Sequence, residues 1–267
     1  MNPRILRPIE WIGAIVPLST LGLMRRAEIA CQLIQGKGLG AASVAAEVAA
    51  IVPLLPARGA VVFDVGAHKG RWTRALLARA EARVSCVYAF EPSSANLEYL
   101  AAIRGVEVVA AAVGGRDGSG MLYSNEPGAS LGSLYQRRLD HLRATHTPQE
   151  VVRVITLDAF AEERDVRVIH FMKMDIEGSE LAALRGAGRL LASGRIRALS
   201  FEFGDCNLDS RTYYRDLWDT LTAAGFKIFR IVPRGRLLPI RRYTMDLESF
   251  APTNYVAVLE ATSQSER

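Results

Sequence analysis

From Ala60 onward, short and nearly continuous apolar runs alternate with amphipathic stretches. The strand candidates are Ala60–Val65, Arg83–Phe90, Val106–Val113, Val168–Met174, Arg197–Phe203, Phe226–Val232 and Tyr255–Leu259, each rich in Val, Ile, Phe or Tyr. Between them the spacing predicts helices over Arg71–Arg79, Ser94–Ile103, Ser179–Leu191 and Thr212–Ala224. Strands without polar alternation are buried on both faces, and helical crossovers between them make them parallel. The pattern therefore predicts a doubly wound α/β domain with a ligand crevice beyond the carboxyl ends of its strands. One stretch departs from it. Gly114 to Val152 is longer and more polar than a crossover needs and contains Gly118, Gly120, Pro127, Gly128, Gly132 and Pro148. Long loops of this kind are usually functional or mobile, so 114–152 is read as a substrate lid.

Upstream, Ile9 to Met24 is apolar apart from Glu10, is interrupted by Pro17, and is bracketed by Arg4, Arg7, Arg25 and Arg26. Its 16 residues fall short of the roughly 20 of a transmembrane helix. No small-residue cleavage site follows, so it does not read as a signal peptide. It is read first as a helical arm packed on the domain or on a second subunit, giving a homodimer, with interfacial membrane attachment as the alternative. Gly40 to Leu55 is Ala/Val-rich and predicts a helix leading into the main domain. The organisation expected is an arm over 1–55, a domain over 56–262 and a tail over 263–267.

The 267 residues, 49% hydrophobic and 23% charged, exclude a disordered chain and a disulfide scaffold. The net charge of +5 comes from 33 basic and 28 acidic residues, and all but Lys37, Lys69, Lys173 and Lys227 of the basic ones are Arg. These are scattered; the densest group is Arg234, Arg236, Arg241 and Arg242, which does not predict a nucleic-acid partner. Cys31, Cys86 and Cys206 are odd in number and widely spaced, as free thiols of a reducing compartment are. A cytoplasmic location follows, peripheral to the inner membrane if the arm meets lipid.

Three strand ends carry the candidate chemistry. The first runs Phe63-Asp64-Val65-Gly66-Ala67-His68-Lys69-Gly70 into a helix. Its glycines allow a tight turn, and the helix start presents unpaired N–H groups. Asp64 would repel a pyrophosphate but pair with an ammonium or sulfonium. The second ends in Phe90-Glu91-Pro92, with Glu91 lying 25 residues past Gly66, where an acid binds ribose hydroxyls; helix capping by Glu91 or Ser93 is the plain alternative. The fourth delivers Lys173-Met174-Asp175-Ile176-Glu177-Gly178 to the same edge, and the fifth adds Glu202. Acids converging on one cleft favour a cationic cofactor, a metal such as Mg²⁺, or a proton acceptor.

Together, the segments FDVGAHKGRWT, FEPSSANLEYL, TLDAF and KMDIEGSELAALRGA resemble the FkbM family of S-adenosylmethionine-dependent O-methyltransferases, over Ala60 to Leu259. The resemblance implies a Rossmann-like class I methyltransferase with a seven-stranded sheet whose last strand is antiparallel. It also implies bound S-adenosylmethionine and transfer to a hydroxyl of a sugar, glycan or polyketide-type small molecule, in surface-polysaccharide or secondary-metabolite biosynthesis. Carried over, Gly66, Ala67, His68 and Gly70 form the loop under the methionine moiety, Asp64 holds its ammonium and Thr73 its carboxylate. Glu91 and Pro92 meet the ribose, Ala112 and Val113 the adenine, and Asp175 the methyl or the ammonium. His68 stands where the family usually has Asn.

An alcohol needs a base, for which the candidates are Asp175, Glu177 and His141, followed by Glu202 and His146. His170, inside a strand pattern, is read as structural. Rival readings are a cofactor-binding scaffold without turnover and a nucleic-acid methyltransferase. The latter lacks its Asn/Asp-Pro-Pro-aromatic segment here. An NAD enzyme lacks the middle glycine of its fingerprint.

Overall fold

β1 (Ala60–Val65) is buried at every position but Val61, as a strand with neighbours on both edges and layers on both faces must be. The computed structural model describes residues 13–38, 44–140 and 143–260. β1 pairs in parallel with β2 (Val84–Phe90) on one side and β7 (Phe171–Met174) on the other. β3 (Val106–Val109) extends the sheet beyond β2, and β8 (Ala198–Phe203) extends it beyond β7, both in parallel. β11 (Thr253–Leu259) lies antiparallel between β8 and β9 (Phe226–Val232), and β10 (Arg236–Ile240) closes a hairpin on β9. The order is β10-β9-β11-β8-β7-β1-β2-β3. β10 is additional to the seven expected strands. It carries Pro239 and is nowhere fully buried, a weak pattern that only an edge strand tolerates.

The expected strand Val106–Val113 is two. The chain bends at Ala110 and Ala111, where the Ala111 amide donates to the Val109 carbonyl at 2.8 Å. β4 (Ala112–Val113) then leaves the main sheet to pair with β6 (Thr147–Ile155), which also pairs antiparallel with β5 (Gly118–Ser124). The segment read as a long loop therefore folds into a second, three-stranded sheet, β4-β6-β5.

α1 (Leu21–Ile34) has no buried residue, whereas α2 (Val44–Ile51) buries Val48, Ala50 and Ile51. These pack with Val62 of β1 and with Trp72 and Leu76 of α3 (Arg71–Ala80), so α2 and α3 cover one face of the sheet. The opposite face, with Phe63, Val65, Met172 and Met174, is covered by α5 (Leu157–Glu163), α6 (Glu180–Arg185), α7 (Gly188–Ala192) and α9 (Tyr214–Ala223). α4 (Ser94–Ala101) follows β2, and α8 (Cys206–Ser210) follows β8. The predicted helix Ser179–Leu191 breaks at Gly186, where a Cβ would stand 2.2 Å from the Gly114 carbonyl oxygen. Asp158, within the TLDAF segment, accepts from the Arg189 and Leu190 amides at 2.8 and 2.9 Å and caps α7. Alternation along the strands puts Asp64 and its register partner Lys173 on the α2/α3 face.

Candidate functional site

The chain leaves β1 outward to β2 and β3, then returns to β7 on the other side of β1. Such a reversal opens a crevice at the carboxyl ends of the strands, and a cavity lined by both sheets lies there. Val65, Gly66 and His68 enter it from β1, Phe90, Glu91 and Pro92 from β2, and Asp175, Ile176 and Ser179 from β7. Ala111, Ala112 and Val113 form an apolar wall. The second sheet closes the remainder through Leu122, Ser124 and Gln149 and the turn from Gly128 to Leu134.

Gly66 has φ +83°, and a Cβ on it would lie 1.9 Å from the Asp175 carbonyl oxygen. The turns after β1 and β7 are thus in backbone contact at a position only glycine fits. Gly66→Ala should cost more than about 2 kcal/mol in urea unfolding through strain and displacement of that turn. His68 takes φ +49°, a left-handed conformation that Asn adopts more readily than most residues. Its imidazole Nε2 lies 2.8 Å from the Gly128 carbonyl, tying the loop to the insert. Ala67, Gly70 and Thr73 do not line the cavity: Ala67 donates its amide to the Phe90 carbonyl at 3.0 Å, and Gly70, with φ +75°, starts α3.

Glu91 is 5% exposed. Oε2 accepts the His68 amide at 2.8 Å, and Oε1 accepts the Ser93 amide at 2.9 Å and the Asn96 Nδ2 at 3.2 Å. Burial pushes the carboxyl up, and these three donors oppose it. A carboxylate has about four acceptor positions, so capacity remains on the side facing the cavity.

Asp64 lies beneath the cavity, not in its wall. It is fully buried, accepts from the Thr73 hydroxyl, and stands 3.6 Å from the Lys173 ammonium. The same ammonium lies 3.1 Å from Asp175 Oδ2, whose side chain is 46% exposed. Burial pushes the Asp64 carboxyl up and Lys173 opposes it. Burial disfavours the Lys173 charge, but Asp175, Asp64 and Glu47 outweigh it and hold its pKa above the ordinary lysine value. Glu47 of α2, whose charge acts on this group, accepts from Asn254 Nδ2 at 2.9 Å and is pushed by burial to about 7.

Glu177 turns away from the cavity. With φ +52° it points its carboxylate at the Arg137 guanidinium, which also reaches Asp205 at 3.1 Å. Burial pushes Glu177 to about 8, and Arg137 opposes it. Ser133 Oγ donates to the Glu177 carbonyl at 2.7 Å, so this turn fastens the insert to the sheet. Glu180, fully buried, folds back to accept the Ile176 and Gly178 amides, both at 3.0 Å. Glu202 does not line the cavity, and burial pushes it to about 9. The expected convergence of acids on the cleft thus reduces to Glu91 and Asp175 in its wall, because strand alternation turns Asp64 under the sheet and Arg137 draws Glu177 aside.

His141 lies outside the described residues. His146 has both ring nitrogens engaged, Nδ1 accepting the Arg137 amide at 2.9 Å and Nε2 lying 2.9 Å from the Leu131 carbonyl; burial pushes its pKa down. It braces the insert. His170 Nδ1 accepts the Val61 amide at 3.0 Å, a structural role. Among the described residues no group of three or more His, Cys, Asp or Glu side chains is arranged to hold a metal ion.

Sequence reasoning missed the insert's wall residues, Ser124, Ser130, Ser133 and Gln149 among them. The small and hydroxyl-rich run Pro127-Gly128-Ala129-Ser130-Leu131-Gly132-Ser133 was the available signal. It also missed Ser93 and Ser179, whose hydroxyls are buried, lie along the cavity and have no protein partner.

The model of the methyltransferase FkbM domain matches residues 64–228. No curated protein matches the chain. Among solved structures, a methyltransferase FkbM from Methylobacillus flagellatus KT is 19% identical over 74% of this chain, with a TM-score of 0.46; the match spans 43% of that protein's length. A precorrin-6y C5,15-methyltransferase from Geobacter metallireducens GS-15 is 13% identical over 80% of this chain and 87% of its own, with a TM-score of 0.37. An rRNA methylase from Streptococcus thermophilus is 13% identical over 80% of this chain and 94% of its own, with a TM-score of 0.41.

Proposed function

The chain belongs to the FkbM methyltransferase family, and from that premise we propose that it uses S-adenosylmethionine to methylate a hydroxyl of a sugar, glycan or polyketide-type small molecule. The observation that carries the reading is the cavity wall itself: a carboxylate with remaining acceptor capacity, two orphaned hydroxyls and an apolar shelf line one crevice. These residues fit the cofactor. Glu91, with the Ser93 hydroxyl beside it, offers polar partners to ribose hydroxyls, and Phe90 with Ala111 to Val113 offers an apolar surface to a base. Ser179 offers a hydroxyl to the amino-acid end. When bound, the cofactor supplies a methyl group on a sulfonium, open to in-line displacement.

Positioning an acceptor oxygen in line supplies much of such a rate. The insert's serines and Gln149 present polar groups suited to a polyhydroxylated acceptor. Asp175 is the cavity-wall carboxylate left to take the hydroxyl proton once Glu91 serves the ribose. Surface-polysaccharide or secondary-metabolite biosynthesis is the setting in which such an acceptor would arise.

Calorimetric titration tests the cofactor before the acceptor is known. The wild type is expected to bind S-adenosylmethionine and S-adenosylhomocysteine and not NAD. Glu91→Ala should weaken both by at least tenfold, since a hydrogen bond to a charged group contributes about 1.5–3 kcal/mol. A folded wild type that binds neither would overturn the proposal.

A further inference from the structure

α1 has a composition that its surroundings do not explain. None of its 14 residues is buried, and Leu23, Met24 and Ile34 are 69%, 54% and 69% exposed, with Leu18 just before it at 83%. By helical spacing Leu23, Ala27, Ala30 and Ile34 line one side, while Leu21 and Ile29, 50% and 45% exposed, lie among Arg25, Glu28 and Gln32 on the other, so apolar surface is exposed around the helix. A helix this short is marginal in water on its own and gains most of its stability by covering its apolar surface.

Its root is fixed. A Cβ on Gly36 would stand 2.2 Å from the Ile231 carbonyl oxygen, and Lys37 pairs with Asp246 at 3.5 Å. This anchors α1 beside the β9–β10 hairpin, which carries Arg234 and Arg236, with Arg241 and Arg242 following. All four arginines are exposed and have no ion pair among the described residues. Asp246, close to α1's root, is engaged by Lys37. Leu238 and Met245 are exposed among them, at 42% and 77%.

An apolar helix fixed next to uncompensated guanidinium groups needs a partner that is negative at its surface and apolar just beneath. A nucleic acid meets the charge and leaves the helix wet. A second copy, itself carrying a net charge of +5, covers the helix without supplying a negative surface to the guanidinium groups. We infer that α1 and the Arg234–Arg242 hairpin form a docking surface for an anionic phospholipid bilayer. Leu18, Leu23, Met24 and Ile34 enter the headgroup boundary while the arginines lie against lipid phosphates. No helix among the described residues is long and apolar enough to cross a membrane, so the attachment lies in the interfacial plane.

The test uses the full chain with two vesicle types, phosphatidylcholine alone and phosphatidylcholine with an equal part of phosphatidylglycerol, at low and high salt. Sedimentation should show binding to the mixed vesicles, weak binding to phosphatidylcholine, and loss of binding as salt rises. Replacing Arg234, Arg236, Arg241 and Arg242 by Ser should lower partitioning by nearly three orders of magnitude, at roughly fivefold per arginine. Leu23→Glu with Ile34→Glu should lower it at least tenfold. Both positions are exposed, so the unfolding midpoint should stay unchanged; if that variant does not fold, the arginine variant decides. Equal binding to both vesicle types, no binding to either, or a stable dimer that Leu23→Glu with Ile34→Glu dissolves would each overturn the inference.

Discussion

Lys173→Met is expected to destabilise the protein by about 3–5 kcal/mol, the usual consequence of removing one member of a buried charge group. Lys173 stands between two carboxylates, Asp64 at 3.6 Å and Asp175 at 3.1 Å. Asp175 is half exposed and can turn to water. Asp64 is fully buried, and among the described residues the polar groups that reach it are Lys173 and the Thr73 hydroxyl. Methionine matches the lysine stem in shape, so the loss is electrostatic, and it carries a pH signature. Lys173 opposes the burial that pushes Asp64 and Glu47 upward; without it both carboxyls rise further. A carboxyl whose pKa is higher folded than unfolded keeps its proton more tightly in the native state, so stability falls as pH rises toward the folded value. The variant's deficit should therefore be small near pH 5 and grow through pH 7 and above, where Glu47 of the wild type titrates at about 7. Urea unfolding across that range checks it. A deficit independent of pH would mean that packing, not charge, is what Lys173 supplies.

That cluster also shows how far the sequence could be read. The strand ends were legible because apolar runs and glycine turns are local signals, and β1 and β9 fall at their expected bounds. The edge strand β10 and the insert's β5 and β6 were not, because exposed strands carrying Pro239, Gly118, Gly120 or Pro148 lose the periodicity that marks a buried one. Glu91 and Asp175 could be placed at the crevice from their position after a strand. The inward turn of Asp64 could have been read from alternation with Val62 and Phe63, since a one-residue step changes the face. The diversion of Glu177 could not, because its partner Arg137 lies 40 residues earlier in an insert with no regular pattern. Long-range pairing of two charges leaves no local trace.

Asp175→Asn should lower methyl-transfer turnover by about 10²–10⁴-fold, the range a positioned general base contributes. Asp175 is the exposed carboxylate of the cavity wall, held by Lys173 on one oxygen and supported from behind by the turn in which its amide donates to the Val65 carbonyl at 3.0 Å. Asparagine preserves the shape and one acceptor oxygen but cannot take a proton from an alcohol. The substitution also separates two roles for the same side chain. If Asp175 removes the acceptor's proton, single-turnover methyl transfer falls while calorimetric affinity for S-adenosylmethionine changes only a few-fold. If it holds the cofactor's ammonium, affinity falls alongside turnover, and saturating cofactor restores much of the rate. Full single-turnover activity in Asp175→Asn would remove Asp175 from proton transfer altogether. With Glu177 bound to Arg137 and His146 engaged at both ring nitrogens, the proton would then have to leave through the acceptor's own solvent contacts or through His141.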